Sequence, residues 1–316
     1  MDLSIIIPMR NEEKNVAILH QEITEAVFDM GLTYEVIYIN DGSTDKTGAR
    51  LQELEESDKH VLVIEFKKNY GQTAALRAGF NFCKGEKVIT LDGDLQNDPA
   101  DIPMMLDKLD EGYDLVNGWR KDRHDDLFTR KIPSMAANKI INRLIEGTGV
   151  RINDYGCSLK AYRHEIVKDL NLYGEMHRFI PVFAAWFGSR IVEIPVNHRP
   201  RLYGTTKYNL SRVSTVLLDL LVVRFFSDFL TRPIQFFGKI ASKVFLLGVI
   251  LTMILGMLNS FSIMDIDWGM LTMIMILTGL GSFQIVVMGL VGEMQIRSYF
   301  EMSRQDTYVI RRVTRR

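Results

Sequence analysis

Two long apolar runs in the last quarter of the chain constrain its fold more than any other feature. Residues 244–264 and 269–292 contain no Asp, Glu, Lys or Arg. A helix needs about 20 apolar residues to cross the hydrocarbon core of a bilayer, and both runs reach that length. Two buried helices of a soluble protein are the alternative, but such helices rarely lack charge over so many turns. We therefore expect a transmembrane hairpin over residues 233–292.

Charged residues on both sides of this hairpin indicate its orientation. Lys239 and Lys243 precede the first run, and the second is followed by Arg297, Arg304, Arg311, Arg312, Arg315 and Arg316. Because basic flanks stay in the cytoplasm, we expect both ends of the hairpin there, with residues 293–316 as a basic cytoplasmic tail. The start of the chain, MDLSIIIPMRNEE, lacks the basic and apolar regions of a signal peptide. The domain before the hairpin is therefore expected to be cytoplasmic as well.

The first part of the chain alternates short β-branched runs with helical patterns. LSIIIPM, YEVIYIND, VLVIEF and KVITLDG are each followed by a helical pattern or a polar turn. This alternation predicts an α/β fold with a mostly parallel sheet. Polar loops follow all four runs, and ligands of such sheets bind at the carboxyl ends of the strands. We expect these loops to form a nucleotide crevice.

Two other regions allow weaker conclusions. Residues 209–232 mix apolar and charged residues, which fits an amphipathic helix at the membrane interface or an ordinary packed helix equally well. Cys83 and Cys157 are far apart and lack metal-type spacing. Neither a disulfide framework nor a zinc site is expected from them.

The sequence ITLDGDLQNDP brings acidic residues to the end of a buried strand. Asp92 and Asp94 can both reach one cation if the strand ends there, and Gln96 adds a neutral oxygen. Oxygen ligands of this kind suit a hard divalent ion, whereas the alternative is a simple Asx turn before Pro99. Asp41, in NDGSTDKT, follows another strand and is expected to accept from a base or a ribose hydroxyl.

Six motifs together resemble a known family. IIIPMRNEE, INDGSTDKT, NYGQTAALRAGF, ITLDGDLQNDP, NDYGCSLKAY and RPRLYGTTKYN occur in this order before two membrane helices. The chain is thereby similar, over essentially its whole length, to the polyprenyl-phosphate glycosyltransferases of glycosyltransferase family 2. The resemblance implies a GT-A type, Rossmann-like nucleotide-binding domain over residues 1–208, anchored by the amphipathic segment and the hairpin.

The resemblance also implies roles for individual residues. Those expected to bind the nucleotide sugar are Pro8, Arg10, Glu12, Asp41, Asp92, Gly93, Arg201 and Lys207. Asp92, Asp94 and Gln96 are expected to hold Mg²⁺ or Mn²⁺, and Arg120, Arg130 and Ser134 the acceptor phosphate. The residues expected to act in catalysis are Asp94, Asp154, Arg120, Arg130 and Lys207. Arginine forks suit phosphate oxygens, which supports the acceptor assignments independently.

The sequence allows three roles for Asp154. A lipid phosphate monoester has a second pKa of about 6, so its attacking oxygen is already largely ionised. A general base then contributes little. Asp154 is expected either to position the acceptor and its metal or to complete deprotonation, unless NDYG is only an Asn-Asp turn.

The expected activity is an inverting, metal-dependent transfer of a hexosyl group from a UDP-sugar, with UDP-glucose expected, to polyprenyl phosphate. The resemblance implies the bacterial inner membrane and a role in envelope glycans such as O-antigen, with no nucleic acid partner. Glycines in the two apolar runs permit close helix approach, which allows a dimer or tetramer without requiring one. GDP-mannose or UDP-aminoarabinose is an alternative donor. A catalytically inactive nucleotide-binding scaffold is the alternative function, whereas a processive synthase is disfavoured because its Gln-x-x-Arg-Trp motif is absent.

Overall fold

The computed structural model describes residues 1–121, 151–170, 172, 176–200, 202, 233–261, 264–302 and 308–315. The chain divides into two compact units, Met1–Leu220 with Asp306–Arg316, and Leu221–Gln305. The C-terminal residues therefore belong to the same unit as the N-terminal domain. The predicted domain boundary at residue 208 and the predicted helix over 209–232 lie outside the described residues.

The first unit is built on a sheet to which eight strands contribute within the described part of the chain. The strands are β1 (Leu3–Met9), β2 (Tyr34–Asn40), β3 (Val61–Phe66), β4 (Lys87–Thr90), β5 (Leu115–Trp119), β6 (Lys160–Arg163), β7 (Ile191–Pro195) and β8 (Ile310–Arg315). Their spatial order is β7-β5-β6-β4-β1-β2-β3-β8. Only β6 and β8 run against the other six. The carboxyl ends of those six strands therefore meet at one edge, which confirms the predicted α/β class and its mostly parallel sheet.

Helices cover the sheet. The α-helices of the first unit within the described residues are α1 (Val16–Phe28), α2 (Thr47–Ser57), α3 (Gln72–Phe82), α4 (Ile102–Asp110), α5 (His164–Asp169) and α6 (Ile180–Trp186). The inner strands are hydrophobic on both faces, as expected of strands covered on two sides. Ile5, Ile6 and Ile7 of β1 are all fully buried. This core fixes the strand ends and hence the loops that follow them.

The last strand, β8, pairs antiparallel with β3 and forms an edge of the sheet. Its register is supported by ion pairs from Arg315 to Glu35 (2.9 Å) and from Arg311 to Glu65 (3.2 Å). Just before it, Tyr308 stacks on Phe66 with ring centroids 5.0 Å apart. The end of the predicted basic tail is therefore a strand of the sheet in the first unit, and two of its arginines are paired with glutamates.

The second unit contains two long helices, α7 (Pro233–Ser260) and α8 (Trp268–Met302). Within them, Phe237–Ser260 and Trp268–Gly292 are long and apolar enough to cross a membrane, and only 11% of each apolar window is buried. Such low burial does not fit the alternative of two core helices of a soluble protein. The helices approach closely at Gly248, where an added Cβ would lie 2.6 Å from Thr278. They could therefore form the predicted hairpin.

Candidate active site

Polar loops gather at the edge of the sheet where β1, β2, β3, β4, β5 and β7 end. Asp41 follows β2, Asp92 and Asp94 follow β4, and Arg120 follows β5. Because β6 runs the other way, the residues before it, including Asp154, reach the same edge. The topology thus brings together acidic and basic side chains that are up to 113 positions apart in the chain, from Asp41 to Asp154.

Asp41 is buried and holds the loop between β3 and α3. Its carboxylate accepts hydrogen bonds from the backbone N–H groups of Tyr70 (2.7 Å) and Gly71 (3.0 Å) and from the side chain of Asn69 (3.3 Å). A carboxylate can accept about four hydrogen bonds, so these three donors use most of its acceptor positions. Asp41 therefore fixes this loop, and its expected contact with a base or ribose stays a prediction.

Gly42 explains how the two loops come so close. Its φ is +60°, and an added Cβ would lie 2.4 Å from the carbonyl carbon of Lys68 and 2.5 Å from the nitrogen of Asn69. A side chain there would collide with backbone that cannot swing aside. Glycine is therefore required at this position both by conformation and by space.

Asp92 and Asp94 lie after β4 and are both partly exposed. Burial and repulsion from the Asp94 carboxylate raise the pKa of Asp92 to about 6. Gln72 donates to Asp92 at 2.6 Å. Two crowded carboxylates at a solvent-reaching edge fit a divalent cation, since Mg²⁺ is held by one or two carboxylates with phosphates and water completing its shell. Within the described residues no group of three His, Cys, Asp or Glu side chains could hold a metal.

The turn that carries this acidic pair is tightly built. An added Cβ on Gly93 would lie 2.1 Å from the sulfur of Met9 and 3.3 Å from the carbonyl oxygen of Pro8. Leu95 has a φ of +61° although it is not glycine, a conformation that costs about 1–2 kcal/mol. The backbone N–H of Gln96 donates to Asp94 at 3.2 Å. The Asx turn considered as an alternative is therefore present, and it supports the acidic pair.

Arg120 and Asp154 form a bidentate ion pair. Arg120 donates from Nε to Oδ2 (2.7 Å) and from Nη2 to Oδ1 (2.9 Å) of Asp154. Burial opposes the charge of Arg120, but the hydrogen bonds and charge of Asp154 outweigh it and raise the pKa of the guanidinium. The N–H of Gly156 also donates to Asp154, at 3.2 Å. This pair uses two of the five N–H groups of the Arg120 side chain, and a guanidinium can bind a further anion through its others.

The remaining predicted residues fall into two groups. Pro8 lies in β1, and Arg10 is exposed in the loop after it. The backbone N–H of Glu12 donates to the hydroxyl of Thr47 at 2.8 Å. All three thus lie in or after the strand that runs between β2 and β4. The others, Arg130, Ser134, Arg201 and Lys207, lie outside the described residues.

Some supporting residues were not singled out from the sequence. Glu193 of β7 accepts from the backbone N–H of Asp154 at 2.9 Å. Arg199 donates its backbone N–H to the carbonyl of Gln96 at 2.8 Å and pairs with Asp98 at 2.6 Å. A lone glutamate in the apolar strand IVEIP is the one signal in the sequence that could have identified Glu193.

Comparison with known proteins accords with this arrangement. The sequence pattern of "Glycosyl transferase family 2" matches residues 4–170, which is more than half of the chain. The chain belongs to this family. The enzyme is therefore a glycosyltransferase, and the GT-A-like fold expected from its motifs is confirmed.

Curated relatives extend the match over the whole chain. Dodecaprenyl-phosphate galacturonate synthase of Rhizobium johnstonii is 40% identical over 317 residues, covering 99% of this chain and 93% of the relative. Undecaprenyl-phosphate 4-deoxy-4-formamido-L-arabinose transferase of Klebsiella pneumoniae is 36% identical over 316 residues, covering 99% and 94%. Both relatives are polyprenyl-phosphate glycosyltransferases by name, which confirms the resemblance drawn from the six motifs.

Solved structures share the fold. Glucosyl-3-phosphoglycerate synthase from Mycobacterium tuberculosis, in complex with Mn²⁺, UDP and glucosyl-3-phosphoglycerate, superposes with a TM-score of 0.56 at 18% identity. The match covers 71% of this chain and 79% of that one. At this identity the likeness concerns architecture.

Proposed function

We propose that this glycosyltransferase transfers a sugar from a UDP-sugar to a polyprenyl phosphate at the membrane surface, with inversion at the anomeric carbon. The proposal rests on one observation: an acidic cluster and a basic side chain lie at the same edge of the sheet. Asp92 and Asp94 provide a site for a cation and a diphosphate, while Arg120, held by Asp154, provides a site for a second phosphate. The names of the two curated relatives support a polyprenyl phosphate as acceptor.

On the donor side, the enzyme's own residues would bind and orient the nucleotide diphosphate. A divalent cation held by Asp92 and Asp94 would act as a Lewis acid on the leaving diphosphate. Mn²⁺ and UDP occur together in the structurally similar synthase, which supports the same class of donor here. The Asp41 carboxylate would shape the nucleotide pocket mainly by fixing the Tyr70–Gly71 backbone.

On the acceptor side, Arg120 would grip the lipid phosphate and aim one of its oxygens at the anomeric carbon. Asp154 already accepts from three groups: the guanidinium, the backbone N–H of Arg120 (3.3 Å) and that of Gly156. Such a carboxylate is a poor proton acceptor, and an ionised phosphate needs no base. Among the roles considered for Asp154, we favour positioning. Arg130, Ser134, Arg201 and Lys207 stay predicted partners of the two phosphate groups.

The test is transfer by the purified full-length protein in detergent. With Mg²⁺ or Mn²⁺, a UDP-sugar and undecaprenyl phosphate, it should form a lipid-linked sugar, and Asp94→Ala should abolish the product. Asp107→Ala, a surface aspartate of α4, is the matched control and should retain wild-type activity. Absence of transfer with every nucleotide sugar, despite measurable UDP binding, would instead support the inactive scaffold.

The identity of the sugar is a finer question. UDP-glucose is the donor expected from the motifs, whereas the two relatives are named for galacturonate and 4-deoxy-4-formamido-L-arabinose. A competition assay should therefore offer UDP-glucose, UDP-galacturonate, a UDP-linked aminoarabinose and GDP-mannose together. The donor with the highest kcat/KM defines the specificity.

We further propose that the catalytic domain and both termini are cytoplasmic in a bacterial inner membrane. The pairing of β8 with β3 supports this, because the chain must return to the catalytic domain after α8. The basic flanks of the hairpin support the cytoplasmic side. A reporter fused after Arg316 should be active in the cytoplasm, and a periplasmic signal would contradict the orientation. A dimer or tetramer stays a prediction that the mass of the detergent-solubilised enzyme can test.

A further inference from the structure

Four polar side chains lie in one row across neighbouring strands beneath the site. Each strand contributes one residue, and the register pairs each with the next: Thr90 of β4, Lys160 of β6, Asn117 of β5 and Glu193 of β7. We call this set the polar row. Three members are at most 3% exposed. Polar groups buried this deeply in strands destabilise the fold unless they are hydrogen-bonded.

The polar row bonds to the backbone of a single loop, residues 153–158, which we call the Asp154 loop. The bonds are Thr90 Oγ1 to the carbonyl of Ser158 (2.9 Å), Lys160 Nζ to the carbonyl of Cys157, Asn117 Nδ2 to the carbonyl of Asp154 (2.9 Å), and the N–H groups of Asn153 (2.8 Å) and Asp154 (2.9 Å) to Glu193. Donors and acceptors are thus matched along the loop. Four strands that are neighbours in the sheet, β7, β5, β6 and β4, thus contact this loop through their side chains.

The Asp154 loop in turn supports both halves of the site. Asp154 holds Arg120 through two hydrogen bonds. Four residues further on, the hydroxyl of Ser158 donates to Asn97 at 2.7 Å, directly after the acidic turn that ends at Gln96. The end of the loop that Glu193 holds therefore carries Asp154 and the acceptor-side Arg120, whereas its other end, at Ser158, contacts the residue after the acidic turn.

We propose that the polar row is a positioning device for the Asp154 loop, with Glu193 as its principal positioning residue. This inference rests on the proposed function, because it takes Arg120 and Asp154 as the acceptor side of the site. None of the four residues needs to touch substrate. They act through the loop, whose backbone they orient.

Glu193 is the principal member because every contact it makes with the loop requires an acceptor. Its two oxygens accept from the N–H of Asn153 (3.0 and 2.8 Å), from the side chain of Asn153 (2.7 Å), from the N–H of Asp154 and from Asn117 (3.1 Å). Hydrogen bonds to an ionised acceptor are roughly twice as strong as neutral ones. A glutamine would turn an NH₂ donor toward N–H donors and release the loop.

The first experiment measures steady-state kinetics of Glu193→Gln in the full-length enzyme. Misplacing a reacting group by about 1 Å costs about 10²-fold in rate, so kcat/KM for undecaprenyl phosphate should fall by about that factor. The dissociation constant for UDP should stay within about twofold. Glu65→Gln is the matched control, because Glu65 is also a strand glutamate but pairs with Arg311 of β8 instead of the Asp154 loop, and it should behave as wild type.

A double-mutant cycle tests whether Glu193 acts through Asp154. If it does, Glu193→Gln should add less than about threefold to the loss already caused by Asp154→Asn, because coupled residues are not additive. Full additivity of the two losses would overturn the inference. So would a wild-type kcat/KM in Glu193→Gln.

A folding defect and a failure of the proposed function give different results. If Glu193→Gln does not fold, Glu193→Asp replaces it; this variant keeps the charge and should lose less activity, with unchanged UDP binding. An equal loss of UDP binding and transfer in either variant would indicate a merely structural role and overturn the inference. If the wild-type enzyme itself transfers no sugar, the proposed function fails, whatever the variants do.

Discussion

Replacing Asp41 with asparagine should release the loop between β3 and α3. The carboxylate accepts from Tyr70 N at 2.7 Å, Gly71 N at 3.0 Å and Asn69 Nδ2 at 3.3 Å, and it is 3% exposed. In either orientation, the asparagine NH₂ would face at least one of the two backbone N–H groups. One charge-assisted bond is then lost and one donor is left unpaired.

The free-energy cost follows from these contacts. A hydrogen bond to a charged group contributes about 1.5–3 kcal/mol, and a buried unpaired donor costs about 1–3 kcal/mol. Part of this cost is relieved when the loop moves, so we expect about 3 kcal/mol for loss of the ordered loop. Because 1.4 kcal/mol is tenfold, this corresponds to about 10²-fold in the opening equilibrium.

Hydrogen exchange measures this opening directly. In Asp41→Asn, the amides of Tyr70 and Gly71 should exchange about 10²-fold faster than in the wild type, since exchange reports local opening. UDP should also bind at least about tenfold more weakly if the loop shapes the nucleotide pocket. Asn69→Ala removes only the longest of the three bonds and is the control, with about 1 kcal/mol or less expected. Unchanged exchange in Asp41→Asn would refute the role assigned to this carboxylate.

Two further predictions concern stability. Arg315→Ala removes the cation 2.9 Å from the fully buried Glu35 and should lower the unfolding free energy by about 3 kcal/mol, measured by denaturant titration; the exposed Arg312→Ala should change it by less than about 0.5 kcal/mol. Burial lowers the pKa of His20 despite the neighbouring Asp58, so the unfolded chain binds this proton more readily. Stability should therefore fall as pH drops below about 6.5, and thermal unfolding at pH 7.5 and 5.5 should show a smaller fall in His20→Gln.

Local patterns in the sequence predicted the central strands well. β1 to β4 are apolar runs bounded by polar turns, and α1, α2 and α3 follow β1, β2 and β3 as the alternation predicts. The acidic turn also followed from sequence, since Asp92 and Asp94 stand directly after an apolar strand. These features are encoded by residues close together in the chain, so a window of about ten residues contains the information.

The strands that sequence reasoning missed depend on distant partners. β6 is four residues long and charged at both ends, and it becomes a strand because β4 and β5 supply its hydrogen bonds. β8, with the sequence IRRVTR, resembles a solvated basic tail until Glu35 and Glu65 are placed beside it. No local period distinguishes such segments from loops.

The supporting residues of the site were missed for a related reason. A motif marks residues whose chemistry is visible, such as Arg120 and Asp154. Lys160 and Glu193 are charged residues in strands, and their function depends on which loop backbone lies above them. That placement comes from sheet order, which the sequence of one chain does not display.

The pairing of β8 makes the two long apolar helices, α7 and α8, an insertion into the catalytic domain. The chain leaves the first unit, forms α7 and α8, and returns to complete the sheet. Truncation before the hairpin would therefore also remove Tyr308 from its stack on Phe66 and its hydrogen bond with Asn81 (2.8 Å). It would leave Glu35 buried without its arginine and expose the β3 edge, which favours aggregation. One sheet thus contains both ends of the chain, which agrees with the proposal that the two termini lie on the same side of the membrane.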